Sequence, residues 1–113
     1  MRVVYLGRDL MMGSRIAAAA DAMGAEFLRI DAPSQLPDPR TVARVYVDWS
    51  EREETWGPAV RAWCQDAPDT SRPRVVLFGR HTDLEAHQAA RLAGLGPMLA
   101  RSKLVADLAS NPS

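Results

Sequence analysis

Two aspartates and an arginine, each at or shortly after the end of a short apolar run, are the residues of this chain best placed to do chemistry. Asp9 follows the run at residues 3–6, Asp48 follows residues 43–47, and Arg101 follows a third short run. Mg²⁺ binds carboxylate oxygens, keeps several waters and takes phosphate oxygens, so it needs few ligands from the protein and two carboxylates do not exclude it. A planar guanidinium pairs with a carboxylate or clamps an incoming oxyanion. These residue types therefore form a candidate site if the fold brings them together.

Each of the three also has a purely structural interpretation. Asp9 is suited to be the N-cap of the helix that follows it, where its carboxylate accepts backbone N–H groups, and we favour this role. Asp48 is a residue type common where strands end in turns. Arg101 and Asp48 would stabilise each other as an ion pair, and we favour this pairing over an open oxyanion site. Arg8 would oppose a bound cation if its side chain pointed inward.

The loop after residues 75–78 adds weaker candidates. Gly79 ends the apolar run, and the hydroxyl of Thr82 comes three residues later. His81 has the side chain for proton relay or metal binding, but a hydrogen bond to the neighbouring Asp83 explains it equally well. His87 lies on the following predicted helix rather than at ligand spacing from His81, so the sequence does not predict a zinc site.

The elements that must position these residues follow from the alternation of short β-branched runs with helical periodicity. Strands are predicted at residues 3–6, 26–30, 43–47 and 75–78 and just before Arg101. Glycine favours the left-handed conformation that ends helices, so the helix after the first strand is predicted to end at Gly24 and that over residues 83–93 at Gly94. Three prolines, Pro33, Pro37 and Pro39, leave room for at most a turn or two of helix after the second strand.

Two further helices complete the prediction. One carries Pro58 near its first turn, and the last begins at Ser102 as its N-cap. Alternating elements with short connections predict an α/β fold of the flavodoxin-like or receiver-like kind, a three-layer sandwich around a five-stranded parallel sheet in the order 2-1-3-4-5. Its crevice would lie between the carboxyl ends of strands one and three, close to Asp9 and Asp48. Residues 1–110 are predicted to form a single domain, with residues 111–113 as a tail.

Composition narrows the partner classes. The chain has 14 basic and 14 acidic residues and no net charge, so it lacks the electrostatic footprint that nucleic acids or anionic membranes require. Cys64 is the single cysteine, which makes a disulfide framework impossible and favours a reducing cytoplasm. The first apolar run is too short for a signal peptide or a membrane span.

The chain resembles response-regulator receiver domains over nearly its whole length. Asp48 matches the place of the aspartate that receivers phosphorylate, and Asp9 lies where they keep an acidic pair for Mg²⁺. Ala93-Gly94 resembles the pair before their last strand, and Arg101-Ser102 stands in the place of their lysine-proline. The motifs at residues 9–16 and 78–83, Asp-Leu-Met-Met-Gly-Ser-Arg-Ile and Phe-Gly-Arg-His-Thr-Asp, are closer to those of uncharacterised, receiver-like bacterial proteins.

The departures from the receiver pattern are equally definite. Only one acid stands where two are expected, Gly79 replaces a serine or threonine, and Arg101 replaces the lysine. We therefore predict a pseudo-receiver, a non-enzymatic interaction module without cofactor that acts through a protein partner, with a homodimer as one form. An atypical receiver phosphorylated on Asp48 with Mg²⁺ stays open as an alternative. A small flavodoxin-like binding protein or enzyme is the third, although no glycine-rich phosphate loop is present.

Overall fold

The computed structural model describes residues 1–110, and the predicted tail, residues 111–113, lies outside them. Its strands are β1 (Arg2–Leu6), β2 (Glu26–Ile30), β3 (Val42–Asp48), β4 (Arg74–Gly79) and β5 (Met98–Ala100). Its helices are α1 (Leu10–Ala22), α2 (Trp56–Gln65), α3 (Leu84–Leu92) and α4 (Arg101–Ser110). Every predicted strand and helix is present in this order. None of the helices within residues 1–110 is long and apolar enough to cross a membrane.

The five strands form one parallel sheet in the order β2-β1-β3-β4-β5, which confirms the predicted topology. β1 and β3 are central neighbours, with Val4 beside Val45 and Tyr5 beside Tyr46. Residues 3–6 of β1 are at most 1% exposed. A parallel sheet covered on both faces requires such continuous apolar strands, which is why the first run predicted the central strand.

The helices cover the two faces of this sheet in pairs. On one face, Ile16 of α1 and Leu104 of α4 pack against Tyr5, Tyr46 and Phe78. On the other face, α2 and α3 pack through a buried set of side chains, Trp56, Val60, Ala86 and Ala90. Trp49 is buried with them and its indole N–H donates to the carbonyl oxygen of Ala86 over 2.9 Å. Trp49 and Trp56 are therefore both core residues of this face.

Local signals in the sequence account for most helix boundaries. Gly24 and Gly94 have φ values of 71° and 69° and follow the ends of α1 and α3. Between β2 and β3 the chain forms only two three-residue 3-10 turns, Pro33–Gln35 and Pro39–Thr41, as the prolines predicted.

The predicted start of the last helix was wrong. α4 begins at Arg101, so Ser102 lies within its first turn and is not the N-cap. The physical reason is that β5 ends at Ala100 and continues into α4 without a connecting loop, which leaves no residue to serve as a separate capping position. The backbone of Arg101 is therefore fixed directly by the end of a strand.

Candidate functional site

Arg101 bridges the two aspartates at the carboxyl edge of the sheet. Its Nη1 donates to Oδ2 of Asp48 over 3.2 Å, and its Nη2 donates to Oδ2 of Asp9 in a short contact. The carboxylates come from the end of β3 and the start of α1, and the guanidinium comes from the first residue of α4. One cation thus ties together three elements that are far apart in the sequence.

Asp48 is the buried member of this cluster. It is 2% exposed, and its Oδ1 accepts a hydrogen bond from the backbone N–H of Ser50 over 3.2 Å. Burial raises the pKa of this carboxyl above its usual value, although Arg101 works in the opposite direction. Removal of water from Asp48 therefore outweighs the attraction of its cationic neighbour.

Asp9 is the predicted N-cap of α1 and also pairs with Arg101. Its Oδ1 accepts from the backbone N–H groups of Met11 and Met12 over 3.0 and 3.1 Å, which makes it the N-cap of α1. Its Oδ2 is free of the cap and faces Arg101. The Met12 amide, and next to it the Arg101 guanidinium, lower the pKa of this partly exposed carboxyl.

Arg101 contacts an aromatic ring as well as the two carboxylates. Its Cζ atom lies 5.4 Å from the centre of the Phe78 ring, in the range of a cation–π contact. Burial opposes its charge, but the carboxylates of Asp48 and Asp9 raise its pKa overall. The guanidinium is therefore a fixed positive charge at every pH at which the protein is folded.

Comparisons with known proteins identify the fold to which this geometry belongs. No protein-family model matches the chain, and no curated protein sequence matches it. The crystal structure of a response regulator receiver protein from Burkholderia phymatum superposes on it with a TM-score of 0.55 at 18% identity, covering 96% of this chain and 94% of that one. The chain has a receiver-like fold. At this level of identity the likeness concerns the architecture alone.

Within this receiver-like fold, the other predicted residues lie at the same edge but have different surroundings. Arg8 is 76% exposed at its side chain, and its Nε lies 3.8 Å from Oδ1 of Asp31. His81 and Thr82 are exposed in the loop after β4. Asp83, rather than pairing with His81, caps α3 by accepting from the N–H of Ala86 over 3.0 Å.

Ser50 is a residue of this site that the sequence analysis missed. A Cβ atom added to Gly79 would lie 2.8 Å from Oγ of Ser50 and 2.8 Å from Sδ of Met98. The Ser50 hydroxyl therefore occupies space that a side chain at position 79 would need, and it is the hydroxyl nearest to that position. Its signal in the sequence is the Asp48-x-Ser50 spacing, which is typical of an aspartate that hydrogen-bonds the backbone two residues on.

A small polar cavity lies among residues that follow the ends of β1, β2 and β3. It measures about 130 Å³ and is lined by six residues, Gly7, Arg8, Asp31, Glu51, Glu53 and Trp56. Pockets for small-molecule ligands usually measure about 300 Å³ or more. Within residues 1–110, no group of three or more metal-ligating side chains is placed to hold a metal ion.

Proposed function

We propose that this chain is a pseudo-receiver: a receiver-like module that acts through contact with a protein partner, without transferring a phosphoryl group. The observation that carries the proposal is the Arg101 bridge between Asp9 and Asp48. In this proposal the guanidinium is a permanent internal counter-ion for both carboxylates, and the state of the module is constant. The single cysteine supports a place in the reducing cytoplasm.

The hydrogen bonds of the two carboxylates support the absence of a bound cation. Each aspartate uses Oδ1 for backbone N–H groups and Oδ2 for Arg101. Mg²⁺ demands near-octahedral oxygen coordination at about 2 Å, so it would have to displace the guanidinium from both aspartates. The residues as arranged do not fit the metal.

The burial of Asp48 supports the absence of phosphorylation. A nucleophilic carboxylate must approach the phosphorus atom in line with the leaving group, but Asp48 is 2% exposed and one of its oxygens is paired with Arg101. Phosphoryl transfer depends on positioned charges around the reacting group. Here Arg101, the cation beside Asp48, is already engaged by two acids.

Incubation with acetyl phosphate and Mg²⁺, followed by intact mass measurement, tests this proposal. A phosphorylatable receiver treated in parallel is the positive control, and the Asp48→Asn variant is the negative one. We expect no phosphate on the wild-type chain, and we expect binding to a partner protein, or to a second copy, to survive Asp48→Asn. Phosphate incorporation that this substitution abolishes would overturn the pseudo-receiver.

One observation favours the atypical receiver as a second candidate. Ser50 supplies a hydroxyl in the space next to Gly79, where the receiver pattern has a serine or threonine. If the Arg101 side chain moved away from Asp48, the Ser50 hydroxyl would be a neighbour for a phosphoryl group attached to Asp48. The same mass experiment distinguishes this candidate from the first, since only the second predicts incorporation.

A further inference from the structure

We infer that Tyr5 is the positioning residue that holds Asp9 against Arg101. This inference rests on the proposed function, because it concerns how the closed state of the same site is maintained. Tyr5 is the fourth of the five residues of β1 and is fully buried. Its hydroxyl reaches the loop that connects β1 to α1, four residues further along the chain.

The hydroxyl of Tyr5 binds both backbone groups of one residue. It accepts a hydrogen bond from the N–H of Asp9 over 3.1 Å and donates to the carbonyl oxygen of Asp9 over 3.2 Å. These two bonds fix the backbone of Asp9 from the core side. The Asp9 side chain then has one oxygen committed to the helix cap and the other directed at Arg101.

Two glycines provide the space for this contact. A Cβ atom at position 7 would lie 2.6 to 2.7 Å from the ring and hydroxyl of Tyr5, closer than real side chains approach. At position 13, in α1, it would lie 3.3 Å from the same ring. Neither Gly7 nor Gly13 has a positive φ, so the ring of Tyr5, and not the backbone conformation, accounts for the glycine at position 7. At position 13 a larger side chain would require the ring to shift by a few tenths of an ångström.

The protonation state of Tyr5 suits this role. Burial is the main cause that raises the pKa of its hydroxyl to about 12, and the negative charges of Asp48 and Asp9 act in the same direction. The hydroxyl therefore keeps its proton throughout the physiological range and donates to the carbonyl oxygen of Asp9.

Tyr46 provides a matched control. It pairs with Tyr5 in the register of β1 and β3 and is buried in the same cluster. Its hydroxyl accepts from Nη1 of Arg44 over 3.3 Å instead of contacting the Asp9 loop. Replacement of either tyrosine by phenylalanine removes one buried hydroxyl and keeps the ring, so the two variants differ mainly in which contact is lost.

The rotation rate of the Arg101 guanidinium, measured by ¹⁵N NMR on the full chain, tests the inference. Two different carboxylates hold the two Nη groups in the wild type, which slows rotation about the Nε–Cζ bond. We expect Tyr5→Phe to raise the rate about fivefold, the factor that one ordinary net hydrogen bond carries. Tyr46→Phe should leave it unchanged. A merely structural tyrosine would lower stability without this selective effect, and equal rates in the two variants would overturn the inference.

A double-mutant cycle gives a second measurement. Asp9→Asn keeps an efficient N-cap and removes the charge that pairs with Arg101. If Tyr5 acts through Asp9, Tyr5→Phe adds nothing to the rotation rate in this background, whereas its full independent effect there would refute the inference. Neither experiment uses a phosphodonor. Phosphate uptake by Asp48 would thus overturn the proposed function alone, and absence of the Tyr5 effect would overturn only the present inference.

Discussion

Replacement of Arg101 by methionine removes the internal counter-ion and leaves most of the packing volume. Asp48 then stays buried with only the Ser50 amide as a described partner. At 3.2 Å the direct attraction that is lost is about 5 kcal/mol for an effective dielectric constant of about 20. Part of this loss is offset, because the variant no longer has to take out of water a guanidinium whose side chain is only 34% exposed in the wild type.

Protonation of Asp48 limits how much folding free energy the Arg101→Met variant loses. The carboxyl escapes an unpaired buried charge by binding a proton, at a cost of about 1.4 kcal/mol for each pH unit above its ordinary pKa. With the ordinary value of 3.8, this ceiling is about 4 kcal/mol at pH 7 and about 2 kcal/mol at pH 5. We therefore expect Arg101→Met to lower the free energy of unfolding by about 2 to 4 kcal/mol at pH 7.

The pH dependence has a definite sign. A carboxyl whose pKa is raised by folding stabilises the native state at low pH, and this contribution is lost as the pH rises through its pKa in the folded protein. Arg101→Met raises the pKa of Asp48 further. The loss of stability with rising pH therefore becomes larger and extends to higher pH. The deficit relative to wild type should narrow on acidification and close once Asp9, whose pKa is lowered, is also protonated.

Urea unfolding followed by tryptophan fluorescence measures this deficit, since Trp49 and Trp56 are buried reporters. Arg8→Met is the matched control, because Arg8 makes only an exposed 3.8 Å contact with Asp31 and should cost less than about 0.5 kcal/mol. Equal midpoints for the two variants at pH 7, or a deficit for Arg101→Met that does not change between pH 5 and pH 7, would refute the reasoning.

Three further outcomes follow from the described contacts. Gly79→Ser should destabilise the fold by about 1 to 3 kcal/mol in urea unfolding, since its Cβ would clash with Ser50 and Met98. Adding Ser50→Ala should restore part of the lost stability, and no restoration would contradict the inference that Ser50 occupies the space a side chain at position 79 needs. Mn²⁺ should broaden NMR signals at the strand ends in Arg101→Met but not in the wild type, and equal broadening in both would count against the counter-ion. The buried Cys64 thiol, whose pKa is raised by burial, should react with a disulfide reagent at pH 8 far more slowly in native than in unfolded protein, and equal rates would contradict its burial.

The sequence was sufficient for the strands and their order because those depend on local patterns. Residues 3–6 and 43–47 form continuous apolar runs that only a doubly covered parallel sheet accommodates. The placement of polar residues at strand ends then brought Arg101 near Asp9 and Asp48. The exact start of α4 was not predictable from a capping rule, because β5 continues into the helix without the loop in which Ser102 would have served as the cap.

The two residues that the sequence analysis missed depend on side-chain directions that no local pattern encodes. Tyr5 looks like any aromatic residue in a central strand, and only its packing beneath Gly7 and Gly13 directs its hydroxyl to the loop. Ser50 lies in a short turn whose path over the end of β4 is set by the neighbouring Trp49, buried against α3. The contributions of Tyr5 and Ser50 arise from tertiary packing. The same packing brings Gly7 and Gly13 next to Tyr5, and Gly79 next to Ser50.

The Arg101 bridge also makes the cluster a marker of the order of folding. Its contacts join residues separated by 53 and by 92 positions in the chain, and closing such long loops costs more entropy than forming any neighbouring strand pair. We therefore expect the bridge to form after β1, β3 and β4 have paired and brought Asp9, Asp48 and Arg101 close together. In a refolding experiment, the NMR signal of the paired Arg101 guanidinium should then appear in the final step. It would report completion of the native sheet rather than early collapse.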